Sequence, residues 1–188
     1  MSIMDRAVRA LERGQVVLYP TDTLLGLATL PRSDAALARL FEVKRRPQGA
    51  PVSLAFSSLE ELEPYVELNL AGRHLVRELL PGAFTVLVRP SAHARKVRPR
   101  ALFGPGGTLG IRLPDHPVAR ELSRRVGGPV TSTSANLHDE PPCRSVAEAR
   151  RKFGKDVAVY LPAEPPPSGR PSRLLDLTGP RPSWRKRR

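Results

Sequence analysis

Four short stretches of this chain gather residues that can bind or polarise a ligand. The first is Tyr19-Pro20-Thr21-Asp22-Thr23-Leu24-Leu25-Gly26-Leu27. Here an apolar strand ends at a proline and opens onto two hydroxyls and a carboxylate, and loops at strand ends are the usual ligand-binding places of α/β folds. The same residues also suit a polar turn in which Asp22 satisfies local backbone donors. The second stretch is Lys44-Arg45-Arg46-Pro47. Cations there either complement the negative end of a helix dipole or clamp phosphate, since arginine offers bidentate donors and lysine a compact charge. The third, Thr131-Ser132-Thr133-Ser134-Ala135-Asn136, places five hydroxyl or amide side chains at the end of a strand. The fourth runs from Thr108 through Arg112, Pro114 and His116 to Pro117, a strand carrying an arginine and then a helix start at a proline.

Other chemistry is excluded. His138 and Asp139 follow the serines without the spacing of a nucleophile triad, so no catalytic nucleophile is assigned. The chain has no Gly-x-x-x-x-Gly-Lys-[Ser/Thr] loop and no dinucleotide fingerprint. Four histidines and one cysteine without close pairing exclude a structural zinc site, and no metal-ligating set is assigned. Gly104-Pro105-Gly106-Gly107 reads as a flexible segment, because its proline removes a donor that a phosphate cradle needs.

Alternating strands and helices must position these stretches. Ser2 caps a helix over residues 3–13, stopped by Gly14, and residues 16–19 follow as a buried strand. Ser33 caps a second helix with the stripe Ala36, Leu37, Leu40 and Phe41. Strands are expected at residues 52–56, 84–88, 109–113, 130–133, 157–161 and 173–177. Helices are expected at 69–80, at 116–126 and after Ser145, where Glu148 completes a capping box. Overlapping boxes pair Ser57 with Glu60 and Ser58 with Glu61. Residues 90–107, basic and rich in Pro and Gly, read as a long surface loop. Residues 162–171 are proline-rich and exclude regular helix or sheet. The pattern is α/β in a single domain, a β-sheet flanked by helices.

Length and composition agree. At 188 residues the chain suits one domain. No apolar run reaches the roughly 18–20 residues of a membrane span, residues 1–13 carry no signal-peptide core, and the lone Cys143 excludes an internal disulfide. A cytoplasmic protein without membrane association is expected. The net charge of +13 favours anionic partners such as nucleotides or RNA, or it reflects arginines tolerated on solvent-facing helix positions.

In order and spacing, the clusters resemble the YrdC/Sua5 family of threonylcarbamoyl-AMP synthases. Tyr19 to Leu27 match the form Tyr-Pro-Thr-[Asp/Glu]-Thr-x-x-Gly-Leu. Lys44, Arg46 and Pro47 match Lys-x-Arg-Pro. Arg112, Pro114, His116 and Pro117 match Arg-x-Pro-x-His-Pro, and Ser134, Ala135 and Asn136 match Ser-Ala-Asn. Ser172 followed by Asp176 matches a late Ser-x-x-x-Asp. The resemblance implies a twisted mixed sheet of the YrdC/RibB-like fold over residues 1–179, with 180–188 as a basic tail.

It further implies condensation of L-threonine, bicarbonate or CO2, and ATP into threonylcarbamoyl-adenylate and pyrophosphate. The Mg2+ would come with ATP, no prosthetic group is used, and the product passes to a separate threonylcarbamoyl-transfer complex for tRNA modification. Carried over by motif, Thr23, Arg112, Ser132 and Ser172 would hold threonine, while Lys44, Arg46, Thr108, Ser134, Asn136 and Lys186 would hold ATP, with Arg185 as an alternative to Lys186. Leu25, Ala50, Ala55, Pro142 and Arg173 depart from residues common at those family positions; at Ala55 a threonine-contacting histidine is common. Two other activities fit the same motifs: a non-catalytic RNA-binding module, which would bind tRNA or double-stranded RNA, and a carbamoyl-adenylate-forming relative.

Overall fold

A computed structural model describes residues 1–47, 50–97, 99 and 102–186. Among the described residues ten strands form one mixed sheet. They are β1 (Val17–Pro20), β2 (Leu25–Ala28), β3 (Ser53–Ala55), β4 (Val66–Glu67), β5 (Phe84–Pro90), β6 (Leu109–Arg112), β7 (Val130–Ser134), β8 (Val159–Tyr160), β9 (Arg173–Asp176) and β10 (Ser183–Arg185). Their order is β10-β9-β5-β6-β3-β7-β2-β1-β8, with β4 added at the end of β5. The pairs β1/β8, β3/β6 and β5/β9 run parallel and the rest antiparallel.

Period-2 alternation divides the sheet into two unlike faces. Leu18, Leu25, Leu27, Leu54, Val86 and Ile111 point to one face. There they share a core with the stripes of α2 (Asp34–Lys44), α3 (Leu59–Leu62), α4 (Leu70–Leu79) and α7 (Val146–Phe153). Each buried Leu or Phe in it contributes about 1.5–3 kcal/mol. On the other face Val17, Tyr19, Ala28, Ala55, Val130 and Val159 meet α1 (Ile3–Glu12) and α6 (Pro117–Arg125). Those two helices cover only the β8-β1 end and its neighbours. Among the remaining positions of that face Gly26, Ser53, Thr85, Gly110, Arg112 and Ser132 are small or polar, and the site forms over them.

The expected caps form. Ser2, Ser33, Ser58, Asn69 and Ser145 each accept a backbone N–H at a helix start. Ser2 and Asp5 complete a reciprocal box. Of the two overlapping boxes, Ser58 takes the capping role, and Glu61 turns back to accept from the Ser57 N–H and hydroxyl.

Three local expectations are corrected. Residues 90–107 are no plain surface loop. The Ser91 hydroxyl accepts from Ala94 N–H, α5 (Ala92–Val97) follows, and Ala94 and Leu102 are buried in the main core. The stretch 104–107 is no flexible segment either. It closes as a tight turn in which Gly104 N–H bonds Thr108 O and Gly107 N–H bonds Gly104 O. Third, a strand missing from the expected set follows β1: the polar residues make the polar turn, one of their two readings, and it is the turn of a β1-β2 hairpin in which Tyr19 faces Gly26. A Cβ on Gly26 would lie 2.9 Å from the Tyr19 ring, so the buried tyrosine and the glycine require one another. In addition, Ser183–Arg185 of the basic C-terminal segment pair antiparallel with β9.

Candidate functional site

A polar cavity of about 450 Å³ opens on the incompletely covered face. Strand alternation builds its floor. Gly26, Ser53, Thr85 and Arg112 each flank a residue pointing to the opposite core, and Ser132 sits directly across from Ser53. Close packing beneath it is strict: a Cβ on Gly110 would come within 2.5 Å of Ser53 Oγ.

At one end lies a chain of polar contacts on the hairpin turn. Arg112 Nη2 donates to Thr23 Oγ1 at 2.8 Å and to Asp22 Oδ1 at 3.1 Å. Both partners are nearly sealed from solvent. Burial raises the Asp22 pKa against the opposing pull of Arg112, and Asp22 Oδ2 and Arg112 Nε are buried without a partner. The two contacts hold one end of the guanidinium, Nη2, at the hairpin turn, with Asp22 as its counter-ion. Ser172 and Thr85 share a hydrogen bond of 2.7 Å on the floor beside them.

At the other end stands the C-terminus of α2. Arg45 adopts a left-handed conformation and ends the helix. Lys44, 3% exposed, extends its ammonium to Ser134 O, Asn136 O and Asn136 Oδ1. The Ser134 hydroxyl also donates to Asn136 Oδ1 at 2.7 Å. Lys44 is thus the clasp of the Ser-Ala-Asn turn. Burial, then the charge of Arg46, pushes its pKa down to about 7. Arg46 also lines the cavity, and its Nε is buried without a partner.

The proline-rich stretch 162–171 is tied across the hairpin. Ser168 N–H bonds Asp22 O, and Gly169 N–H bonds Thr23 O at 2.9 Å. His116 accepts Val118 N–H at Nδ1, so its proton sits on Nε2 and is donated to Pro165 O at 2.8 Å.

One cavity therefore unites Thr23, Arg112, Ser132 and Ser172 with Lys44, Arg46, Ser134 and Asn136. It does not include Thr108 or Lys186. Thr108 donates to Pro105 O, and its hydroxyl stands beside Gly104, which itself lies against the cavity residue Pro51. Lys186 is exposed just beyond β10, and Arg185 is held by Asp176 through two hydrogen bonds. Ala55 is fully buried in the core with Ala119, Leu122 and Val130, so this position is packing rather than cavity wall. Ser53, Thr85 and His138 line the cavity without having been singled out as ligand-binding from the sequence, and Thr21 lines it beside Thr23. For Ser53 and Thr85 the available signal was a lone small polar residue inside an apolar strand pattern.

The Sua5/YciO/YrdC family model, described as telomere recombination, matches residues 9–187. The chain belongs to that family. A threonylcarbamoyl-AMP synthase of Chromohalobacter salexigens is 38% identical over 172 residues, covering 91% of this chain and 90% of its own length. One from Vibrio vulnificus is 34% identical over 179 residues, covering 94% of each chain. Among solved structures, P. abyssi Sua5 complexed with L-threonine superposes with a TM-score of 0.84 at 26% identity, covering 97% of this chain. The chain spans about half that Sua5 protein, 52% of its length. The Sua5/YciO/YrdC assignment accounts for the mixed sheet and for the order of the motifs around the cavity. Among the described residues no helix is long and apolar enough to cross a membrane.

Proposed function

We propose that this chain is an L-threonylcarbamoyladenylate synthase, joining L-threonine, bicarbonate or CO2, and ATP with release of pyrophosphate. The observation that carries the reading is the joining of two unlike half-sites in one cavity: a hydroxyl-and-arginine end and a lysine-and-arginine end on the Ser-Ala-Asn turn.

The first half suits a small amino acid. Arg112, anchored through Nη2 by Asp22 and Thr23, pairs the carboxylate, and Thr23, Ser132 and Ser172 supply hydroxyls. A threonine hydroxyl buried without such partners would cost about 1–3 kcal/mol. The second half suits the nucleotide. Arg46 lines this end of the cavity, where a guanidinium suits phosphate oxygens, while Lys44, Ser134 and Asn136 keep the turn beneath in shape. Attack of a carbamate oxygen on the α-phosphorus with departure of pyrophosphate is governed by positioning and charge neutralisation. No side-chain nucleophile enters the reaction in this reading.

The donor set also fits a Mg2+ that arrives on the nucleotide. Hydroxyls and cations dominate the walls, and the lining carboxylates are Asp139, which is exposed, and Glu140, which is paired with Lys152. Magnesium commonly keeps phosphate and water ligands in such sites, and it would supply charge neutralisation there. The product, a mixed anhydride, passes to a separate threonylcarbamoyl-transfer complex.

The test is direct. Protein incubated with ATP, Mg2+, bicarbonate and L-threonine should release pyrophosphate in a threonine-dependent manner, with the adenylate found by mass. Pyrophosphate release that ignores threonine, or none at all, would remove this reading.

A further inference from the structure

The Arg-x-Pro-x-His-Pro motif leaves one polar side chain outside the cavity. His116 is 1% exposed and stands where β6 hands over to α6. As the N-cap of that helix its Nδ1 accepts Val118 N–H at 3.2 Å. A cap needs no more than that, and shorter polar side chains do the same at helix starts. The ring reaches further. With Nδ1 accepting, its proton sits on Nε2, which donates to Pro165 O at 2.8 Å.

That bond holds a strap that cannot hold itself. Pro165, Pro166 and Pro167 carry no backbone N–H, so they can be hydrogen-bonded only through their carbonyls. Successive prolines also lock φ and favour a stiff extended run. The position of Pro165 therefore carries through to Ser168. There the strap is pinned: Ser168 N–H donates to Asp22 O at 3.1 Å and Gly169 N–H to Thr23 O at 2.9 Å. Those are the two residues whose side chains hold Arg112 Nη2. Three residues past Gly169, the same strap delivers Ser172 onto the cavity floor beside Thr85. The path closes on itself, because Arg112 and His116 belong to one segment, four residues apart.

We infer that His116 is a positioning residue for the amino-acid end of the site: its Nε2–H latches the proline strap, and the strap sets the hairpin turn and Ser172 against Arg112. His116 touches no reacting atom and acts through Pro165, Ser168 and Gly169. The inference rests on the reading above in taking L-threonine as the ligand of that end.

Two substitutions separate latch from cap. In H116N the amide oxygen still caps Val118, but the side chain falls short of Pro165. In H116Q an amide N–H has the reach of Nε2, but the cap is lost. H116Q should therefore unfold at the lower temperature. H116N should carry the functional defect, with KM for L-threonine raised at least about fivefold and KM for ATP within about twofold of wild type. In H116Q the threonine KM should stay within about twofold of wild type. Amide exchange followed by NMR reads the strap directly. Ser168 and Gly169 should exchange at least about tenfold faster in H116N and close to the wild-type rate in H116Q. A histidine that serves only as a cap gives the opposite order, with threonine KM following thermal stability, and that order overturns the inference.

Wild-type protein tests it without any variant. Coupling is reciprocal, so saturating L-threonine should slow exchange of the Ser168 and Gly169 amides at least about fivefold. Unchanged exchange there overturns the inference even if neither variant folds. Absence of threonine-dependent pyrophosphate from wild type would instead remove the proposed function. The exchange rates would still decide the latch in that case, equal rates in H116N and wild type removing it.

Discussion

A buried ammonium with three oxygen acceptors is complete only while it is protonated, because a neutral amine has two N–H groups to give. Lys44 is in that position, and burial with the nearby Arg46 lowers its pKa to about 7. The sign of the stability linkage follows. The folded pKa lies below the unfolded value, so the unfolded chain binds more protons between about pH 7 and the ordinary lysine range. Lys44 therefore costs stability when charged, and that cost fades as pH rises through the window. Ligand binding works the other way, since phosphate nearby favours the charged form. Near pH 8, where the free site is mostly neutral, ATP binding should take up close to one proton. Calorimetry in two buffers of different ionisation enthalpy measures that uptake. K44M should abolish it, and uptake surviving in K44M would place the titrating group elsewhere.

At the scale of elements, the cavity depends on backbone approaching side chain across the sheet. Gly110 of β6 lies against Ser53 of β3 with no room for a Cβ. G110A should destabilise the fold by about 1–3 kcal/mol through overpacking, and S53G should return most of that in the double variant, because touching residues couple. Chemical denaturation of the four proteins gives the coupling directly. Strict additivity would show that the strain is taken up elsewhere. This pair also shows what the residues could and could not announce. The stripe of α2 and the caps at Ser2, Ser33 and Ser145 were legible, because period and capping chemistry are local. The two-residue β4 exists only through a partner more than twenty residues away, and the three-residue edge strand β10 is exposed throughout and so carries no apolar alternation of its own. Turn residues concealed β2, and the density of Pro and Gly concealed α5. Thr23, Arg112 and Lys44 were legible as chemistry within ordered motifs. What Lys44 holds was not, because its acceptors lie about ninety residues away on β7 and the turn after it.

Over the whole molecule, charge is unevenly compensated. Many of the carboxylates are engaged on the exterior: Glu121 by Arg124 and Arg125, Glu63 by Arg73 and Arg77, and Asp156 by Arg39. Such exposed pairs are worth about 0–1 kcal/mol each. Their larger consequence is to leave the surplus of the +13 chain as a general positive field. The cavity repeats the bias, with Lys44, Arg46 and Arg112 in its walls. A field of that sign concentrates a polyanion at the mouth and does little for a zwitterion. The two proposed substrates therefore separate under salt. Between roughly 20 and 300 mM salt, kcat/KM for ATP should fall about 3–10-fold as the field is screened, while the same parameter for L-threonine at saturating ATP should change less than about twofold. Steady-state pyrophosphate release across a sodium chloride series, at constant free Mg2+, measures both. An ATP parameter that stays flat would confine the positive charge to the cavity walls and deny the surface arginines any part in capture. A fall shared equally by threonine would point to salt acting on the fold or on the buried Asp22–Arg112 pair instead.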